Sequence, residues 1–278
     1  MRKEIFRGVA TALITPFKDG EIDYNAMRRL IDMQIENEID ALVIGGTTGE
    51  SATLKENERD ELYAFCADYI GGRVKLILGI GSNDTETSVD RAKRYNSLSH
   101  DGYLVVTPYY NKGTREGIRE HFKKTAAASK GPIILYNVPS RTGAYLSLSD
   151  IDTLSEVENI VAIKEAEDSA KRLVALSARR EKICLYAGCD TQIYTSLALG
   201  GLGVISVISN LYPREVGDIC RAYFSGDLET ALKAQVEFLP FIEKMFSETN
   251  PAPIKWAMSK AGLCENELRL PMKACELE

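Results

Sequence analysis

The chain has 278 residues, 45% of them hydrophobic and 27% charged, which is ordinary for a globular protein and enough to bury one large core. Forty acidic residues against thirty-four basic ones give a formal charge of -6, and no dense Lys/Arg run stands out. These features argue against nucleic acid as a partner and require any bound anion to meet local positive charge or backbone N–H groups. No apolar run of about eighteen residues indicates a membrane span, and Met1–Gly8 lacks the apolar core of a secretion signal, so the cytoplasm is the expected compartment.

Short apolar runs alternate with amphipathic segments along the chain. Val9–Ile14 comes first, followed by Met27, Leu30, Ile31 and Ile35 on one helical face. Ala41–Ile44 precedes a predicted helix N-terminus at Thr53-x-x-Glu56, whose helix buries Leu62, Phe65, Cys66 and Tyr69. Lys75–Gly79, Gly102–Val106 and Pro132–Tyr136 follow, then a second cap signature at Ser147-x-x-Asp150. Ile160–Lys164, Ile183–Ala187 and Gly203–Val207 complete the series, and Val216, Ile219, Cys220 and Tyr223 line a last helical face. Most of these eight runs are rich in Val and Ile without polar alternation, as expected for strands buried on both faces of a parallel sheet. Eight β-then-α units predict a (β/α)8 TIM barrel over residues 1–226. An open doubly wound sheet is the alternative, since strand count does not establish closure. Residues 227–278 read as a C-terminal helical extension: Leu228–Phe246, interrupted at Pro240, and Ile254–Ala261, separated by Asn250-Pro-Ala-Pro253.

Cys66, Cys184, Cys189, Cys220, Cys264 and Cys275 occur singly with no CxxC spacing, which favours reduced core thiols over metal ligands or disulfides. His100 and His121 stand far apart without a zinc-ligand pattern and read as surface residues. No GxSxG elbow, GxGxxG fingerprint or P-loop is present. Chemistry falls to Lys, Tyr, Thr and Arg, a set that suits imine catalysis without metal or cofactor.

In a barrel, such groups project from the C-terminal ends of the strands. The sixth run ends in Lys164 after four apolar residues. Apolar walls disfavour the ammonium form, and a neutral amine can attack a ketone. A lysine that pairs with Glu165 or reaches out of the barrel mouth is the competing reading, and position alone does not choose between them. The second run leads into Gly45-Gly-Thr-Thr-Gly-Glu-Ser51, a tight turn whose N–H groups and hydroxyls could hold a small carboxylate. The fifth ends in Tyr136, a candidate proton carrier, followed by Arg141, a candidate carboxylate clamp. A core-capping tyrosine and a solvated arginine are the bland alternatives. The fourth ends in Tyr109-Tyr110, aromatics that could line the site or meet another subunit.

At these residues the chain resembles the pyruvate-dependent class I aldolase family, most closely its dihydrodipicolinate synthase members. The matching pieces are Thr11–Phe17, Gly45–Ser51, Thr107–Asn111, Tyr136–Pro139, Arg141–Gly143, Ile163–Ala166, Gly203–Val207 and Thr249-Asn-Pro with Lys255-Trp256, in order across nearly the whole chain. The Thr47–Thr48 pair, Arg141 and the context of Lys164 favour the synthases over a sibling aldolase such as N-acetylneuraminate lyase or a keto-deoxy sugar acid aldolase. The resemblance implies condensation of pyruvate with L-aspartate 4-semialdehyde in diaminopimelate and lysine biosynthesis. Lys164 would form the Schiff base, and Tyr136, Thr47 and Tyr110 the proton relay, with Tyr110 reaching into a neighbouring subunit's site. Thr48 would hold the pyruvate carboxylate. The carbonyl of Ile205 and Gly188 would line the pocket, and Arg141 would anchor the semialdehyde. The resemblance further implies a homotetramer or homodimer, although family chains usually carry another helix beyond Arg269-Leu-Pro271. Lysine-inhibited members usually have histidines at the positions of Glu56 and Arg59 and a glutamate at Thr87, while Ser51, Ala52, Asn83 and Tyr109 keep the rest of that pattern. Weak or absent feedback by L-lysine is therefore expected.

Overall fold

A computed structural model describes residues 3–277. Eight strands form β1 (Gly8–Ala12), β2 (Ala41–Ile44), β3 (Lys75–Gly79), β4 (Gly102–Val106), β5 (Ile133–Asn137), β6 (Ile160–Glu165), β7 (Cys184–Ala187) and β8 (Gly203–Ser206). Each pairs in parallel with its sequence neighbours, and β1 pairs with β8, Gly8 opposite Gly203 through Thr11 opposite Ser206. The sheet is closed, and the open-sheet alternative is excluded. The apolar runs located the strands to within one or two residues.

Side chains on a strand alternate between faces, and here the alternation divides two apolar layers. Ala10, Val43, Ile77, Leu104, Ile134, Ala162, Tyr186 and Ile205 fill the barrel. Val9, Leu42, Leu76, Val105, Leu135, Ile163, Leu185 and Val204 belong to the second cluster, packed against the helices. The alternation has one decisive consequence. Lys164 shares parity with Ala162 and points inward, whereas Glu165 shares parity with Ile163 and points outward.

The surrounding helices include α1 (Tyr24–Glu36), α2 (Glu56–Ile70), α3 (Thr85–Tyr95), α4 (Arg115–Ala128), the short α5 (Pro139–Thr142), α6 (Leu148–Leu154), α7 (Ala170–Ser177), α8 (Ile193–Ala198) and α9 (Pro213–Ser225). The expected box at Ser147 and Asp150 is present. The one expected at Thr53 is not. Helix α2 begins after Lys55, whose N–H donates to Glu58 at 2.9 Å, while Thr53 belongs to the preceding loop, its hydroxyl donating to the Glu50 carbonyl at 3.1 Å. Both histidines also depart from a surface assignment. His121 is 2% exposed on the inner face of α4 beside Ile118, Phe122 and Thr125, and His100 is partly buried against Tyr103.

Beyond Gly226 come α10 (Leu228–Met245) and α11 (Ala252–Lys260). Helix α10 runs through Pro240 without interruption. Pro240 is exposed, and the Val236 carbonyl it leaves unbonded lies on a solvent-facing turn where water can satisfy it. The tail is fastened to the loop after β2. Lys255 is fully buried and donates to Glu50 Oε1 at 2.5 Å, the Arg269 N–H donates to Glu50 Oε2 at 3.0 Å, and the Arg269 guanidinium pairs with Glu58 at 2.6 Å. Among the described residues, no helix is long and apolar enough to cross a membrane.

Candidate active site

A cavity of about 600 Å³ opens at the C-terminal ends of the strands, with Lys164 in its wall. A larger one, about 870 Å³, lies at the opposite end beside Lys75, Pro132 and Asn159. That end of a β/α barrel serves stability rather than chemistry. The smaller cavity is the candidate site because Lys164 lies in its wall.

Lys164 is 5% exposed, and its Nζ sits 4.5 Å from the centroid of the Tyr136 ring, the residue opposite it in register on β5. Burial is the largest influence on the amine and lowers its pKa to about 8, helped by Arg141 and opposed by Asp190 and Cys189. The competing reading of Lys164 as Glu165's partner fails. Glu165 is turned to the outer face, where it accepts from Asn137 Nδ2 at 2.7 Å and from Arg172 Nε at 2.9 Å.

Tyr136 is nearly buried, which pushes its phenol up, while Arg141 and a hydrogen bond with Thr47 act against that rise. The phenol is therefore protonated at neutral pH and able to donate.

The turn carrying Thr47 and Thr48 follows β2 through Gly45, whose φ is +69° and whose Cβ, if present, would lie 1.9 Å from the Tyr63 hydroxyl. Only glycine fits there. Thr15 Oγ1 donates to the Gly49 carbonyl at 2.7 Å and the Glu50 N–H to the Thr47 carbonyl at 3.0 Å, so the turn is held from both sides. Thr48 is buried, and its hydroxyl accepts from Asn250 Nδ2 at 3.0 Å. The backbone carbonyl of Asn250 in turn accepts from the Arg141 guanidinium at 3.0 Å. One residue of the extension thus links the turn to the arginine.

Arg141 is exposed on α5 at the cavity rim, and Gly188 lines the wall after β7. A Cβ on Gly188 would meet that of Ala166 at 2.7 Å and the Glu165 carbonyl at 2.8 Å, so glycine is required by close approach. Thr47, Thr48, Tyr136, Arg141, Lys164 and Gly188 all border the one cavity. Ile205 is fully buried inside the barrel, and from its end of β8 it is Val207 that reaches the cavity. Tyr110 stands 87% exposed with a positive φ of 72° and does not border the cavity of its own chain.

Asp190, Cys189 and Asn250 also border the cavity, as do Ile242, Glu243 and Phe246 of the extension. The sequence offered Cys189 as a core thiol and Asn250 within the matched Thr249-Asn-Pro piece, but gave none of these residues a place in the site. Asn250 and Phe246 come from the far end of the chain, and no local pattern announces that they return to the barrel mouth.

A family model described as the dihydrodipicolinate synthetase family matches residues 5–278. The 4-hydroxy-tetrahydrodipicolinate synthase of Clostridium novyi (strain NT) is 45% identical over 275 residues, covering 99% of this chain and 92% of that protein. The crystal structure of dihydrodipicolinate synthase from Aquifex aeolicus matches with a TM-score of 0.95 and 41% identity, over 98% of this chain and 93% of that one. The enzyme of Cyanidioschyzon merolae, solved with lysine bound, matches with a TM-score of 0.93 and 36% identity, over 99% and 94%. The chain belongs to the dihydrodipicolinate synthetase family.

Proposed function

We propose that this protein is a 4-hydroxy-tetrahydrodipicolinate synthase that joins pyruvate to L-aspartate 4-semialdehyde through an imine on Lys164. The observation that carries the reading is a buried lysine with a lowered pKa, 4.5 Å from the ring of a protonated tyrosine.

The neutral Lys164 amine attacks C2 of pyruvate. Tyr136 gives a proton to the hydroxyl of the adduct, which leaves as water and yields the iminium; the resulting phenolate takes a proton from C3 to form the enamine. The enamine carbon attacks the aldehyde of the second substrate, and the new alkoxide takes the proton from Tyr136. The substrate's own amine, as the free base, then attacks C2 and sheds two protons. One passes to the Lys164 nitrogen, which leaves as the free amine while the C2=N bond of the ring forms, and the other returns to the Tyr136 phenolate. One water is released overall.

Thr48, through its hydroxyl and N–H, is assigned the pyruvate carboxylate, with Gly188 and Val207 shaping the pocket in place of the Ile205 carbonyl. Thr47 relays protons to Tyr136, and Arg141 anchors the carboxylate of the semialdehyde at the rim. Residues 1–226 act as the catalytic barrel, and residues 227–278 close its mouth through Asn250. The covalent imine supplies the electron sink, so no cofactor is called for. A homotetramer or homodimer in the cytoplasm is the assembly proposed, with Tyr110 of one copy joining the relay of the next; its exposure supports this.

The test is turnover with pyruvate and L-aspartate 4-semialdehyde, coupled to a reductase that consumes the product, beside cleavage of N-acetylneuraminate. Turnover in the first assay alone supports the proposal. Turnover in the second alone assigns the chain to a sibling aldolase.

A further inference from the structure

Asp190 lies three residues beyond β7, 1% exposed, in the wall of the cavity that holds Lys164. Its Oδ2 accepts the N–H of Val207 at 3.0 Å and that of Ile208 at 3.4 Å, and the Ser206 hydroxyl also bonds the carboxylate. Its backbone carbonyl accepts from Gln235 of α10 at 3.1 Å. The other oxygen, Oδ1, is buried with no hydrogen-bond partner among the described residues. A buried carboxylate oxygen left without a donor is costly, and such groups call for a reason.

The reaction supplies one. The iminium carries a fixed positive charge in the barrel interior, and Glu165, the nearest acid in sequence, is committed to Arg172 on the outer face. We propose that Asp190 is a positioning residue for this reaction: it fastens the end of β8 with one carboxylate oxygen and offers the other to Lys164 as counter-charge to the iminium. The inference rests on the imine reading above. The attraction between Asp190 and Lys164 raises the amine's pKa against the larger lowering by burial. The other charged or titratable groups bordering the site are Tyr136 from β5, Arg141 from α5, Glu167 and Asp168 after β6, Cys189 after β7 and Glu243 from α10. Asp168 is engaged by Gln192 Nε2 at 2.6 Å, so it is less free to serve.

The experiment is the pH dependence of borohydride trapping of pyruvate on the full chain, for Asp190→Asn and for Ser206→Ala. The asparagine oxygen still accepts from the Val207 N–H but carries no charge. Its trapping midpoint is expected to fall by about one pH unit, a tenfold change in the proton affinity of Lys164. Turnover at saturation is expected to drop about tenfold or more, with the KM for semialdehyde changed less than about twofold. Ser206→Ala removes part of the fastening and keeps the charge, so its midpoint is expected to stay at the wild-type value. An unmoved midpoint in Asp190→Asn, or an equal shift in both variants, overturns the proposal. If Asp190→Asn does not fold, the crystal structure of the reduced wild-type adduct decides. Oδ1 is expected within about 4–6 Å of Nζ, and a larger separation overturns the assignment. Absence of any wild-type adduct would instead contradict the imine reading itself.

Discussion

Lys164 and Tyr136 face each other in register on adjacent strands, the lysine nitrogen 4.5 Å from the centre of the tyrosine ring. The contact places a buried amine and a protonated phenol on the same inner face of the barrel, with Thr47 beside the phenol. Replacing Tyr136 with Phe keeps the ring and removes the proton. We expect turnover to fall about 10²–10⁴-fold while the protein stays folded, with steady-state kinetics and a thermal melt as the measurements. A loss of less than tenfold would remove Tyr136 from the proton path.

Lys164 also imposes a pH signature on stability. In the folded protein its pKa is near 8, whereas the unfolded chain takes up the proton at the ordinary 10.5. Between those values the unfolded state binds the extra proton, so this residue makes stability rise with pH across that window and weakens the fold fully below pH 8. The difference from 10.5 to about 8 amounts to a cost on the order of 3 kcal/mol at neutral pH. Lys164→Met is therefore expected to be inactive yet more stable than wild type at pH 7, with the advantage shrinking towards pH 10. Urea midpoints at both pH values measure it. A variant less stable at pH 7 would contradict the lowered pKa.

Arg141 sits at the rim and donates to the Asn250 carbonyl. Arg141→Ala is expected to raise the KM for semialdehyde about 10–100-fold, the value of a lost charged hydrogen bond, and to leave pyruvate trapping intact. Equal damage to trapping and to semialdehyde use would show that the arginine serves pyruvate instead.

Feedback by L-lysine is expected to be weak. Next to the active site lies a second cavity bordered by Glu56, Arg59 and Arg91. Glu56 is paired with Arg91 and lies 3.7 Å from the Arg59 Nε, while Arg59, 2% exposed, donates to the Ser51 carbonyl at 2.6 Å. An incoming ammonium would meet guanidinium charge and a carboxylate already neutralised. The coupled assay with millimolar L-lysine is expected to keep most of the uninhibited rate, and half-inhibition or more in that range would refute the prediction.

The barrel was readable in the sequence because each strand is a short Val/Ile-rich run bounded by turn residues, and burial on both faces leaves that mark. Lys164 was visible as the polar end of such a run, but its direction was not. The division of β6 between the two apolar layers, Ala162 inside and Ile163 outside, shows that the lysine faces inward and Glu165 outward. The helix start at Lys55 escaped because Thr53 is folded back into the preceding loop, and the uninterrupted α10 because Pro240 faces solvent. The burial of His121 did have a signal, since it shares a helical face with Ile118, Phe122 and Thr125. Asp190 had none, since it looks like any polar residue after a strand. Asn250 stood in the matched Thr249-Asn-Pro piece, but nothing there told of its contact with Thr48, 202 positions away.

The central claim is that Lys164 is the nucleophile. The protein incubated with pyruvate, reduced with borohydride, digested and analysed by mass spectrometry tests it most directly. A single 1-carboxyethyl group on the peptide carrying Lys164, absent without pyruvate and absent from Lys164→Met, is the predicted result. An unmodified Lys164 peptide, or an adduct on another lysine, would contradict the account.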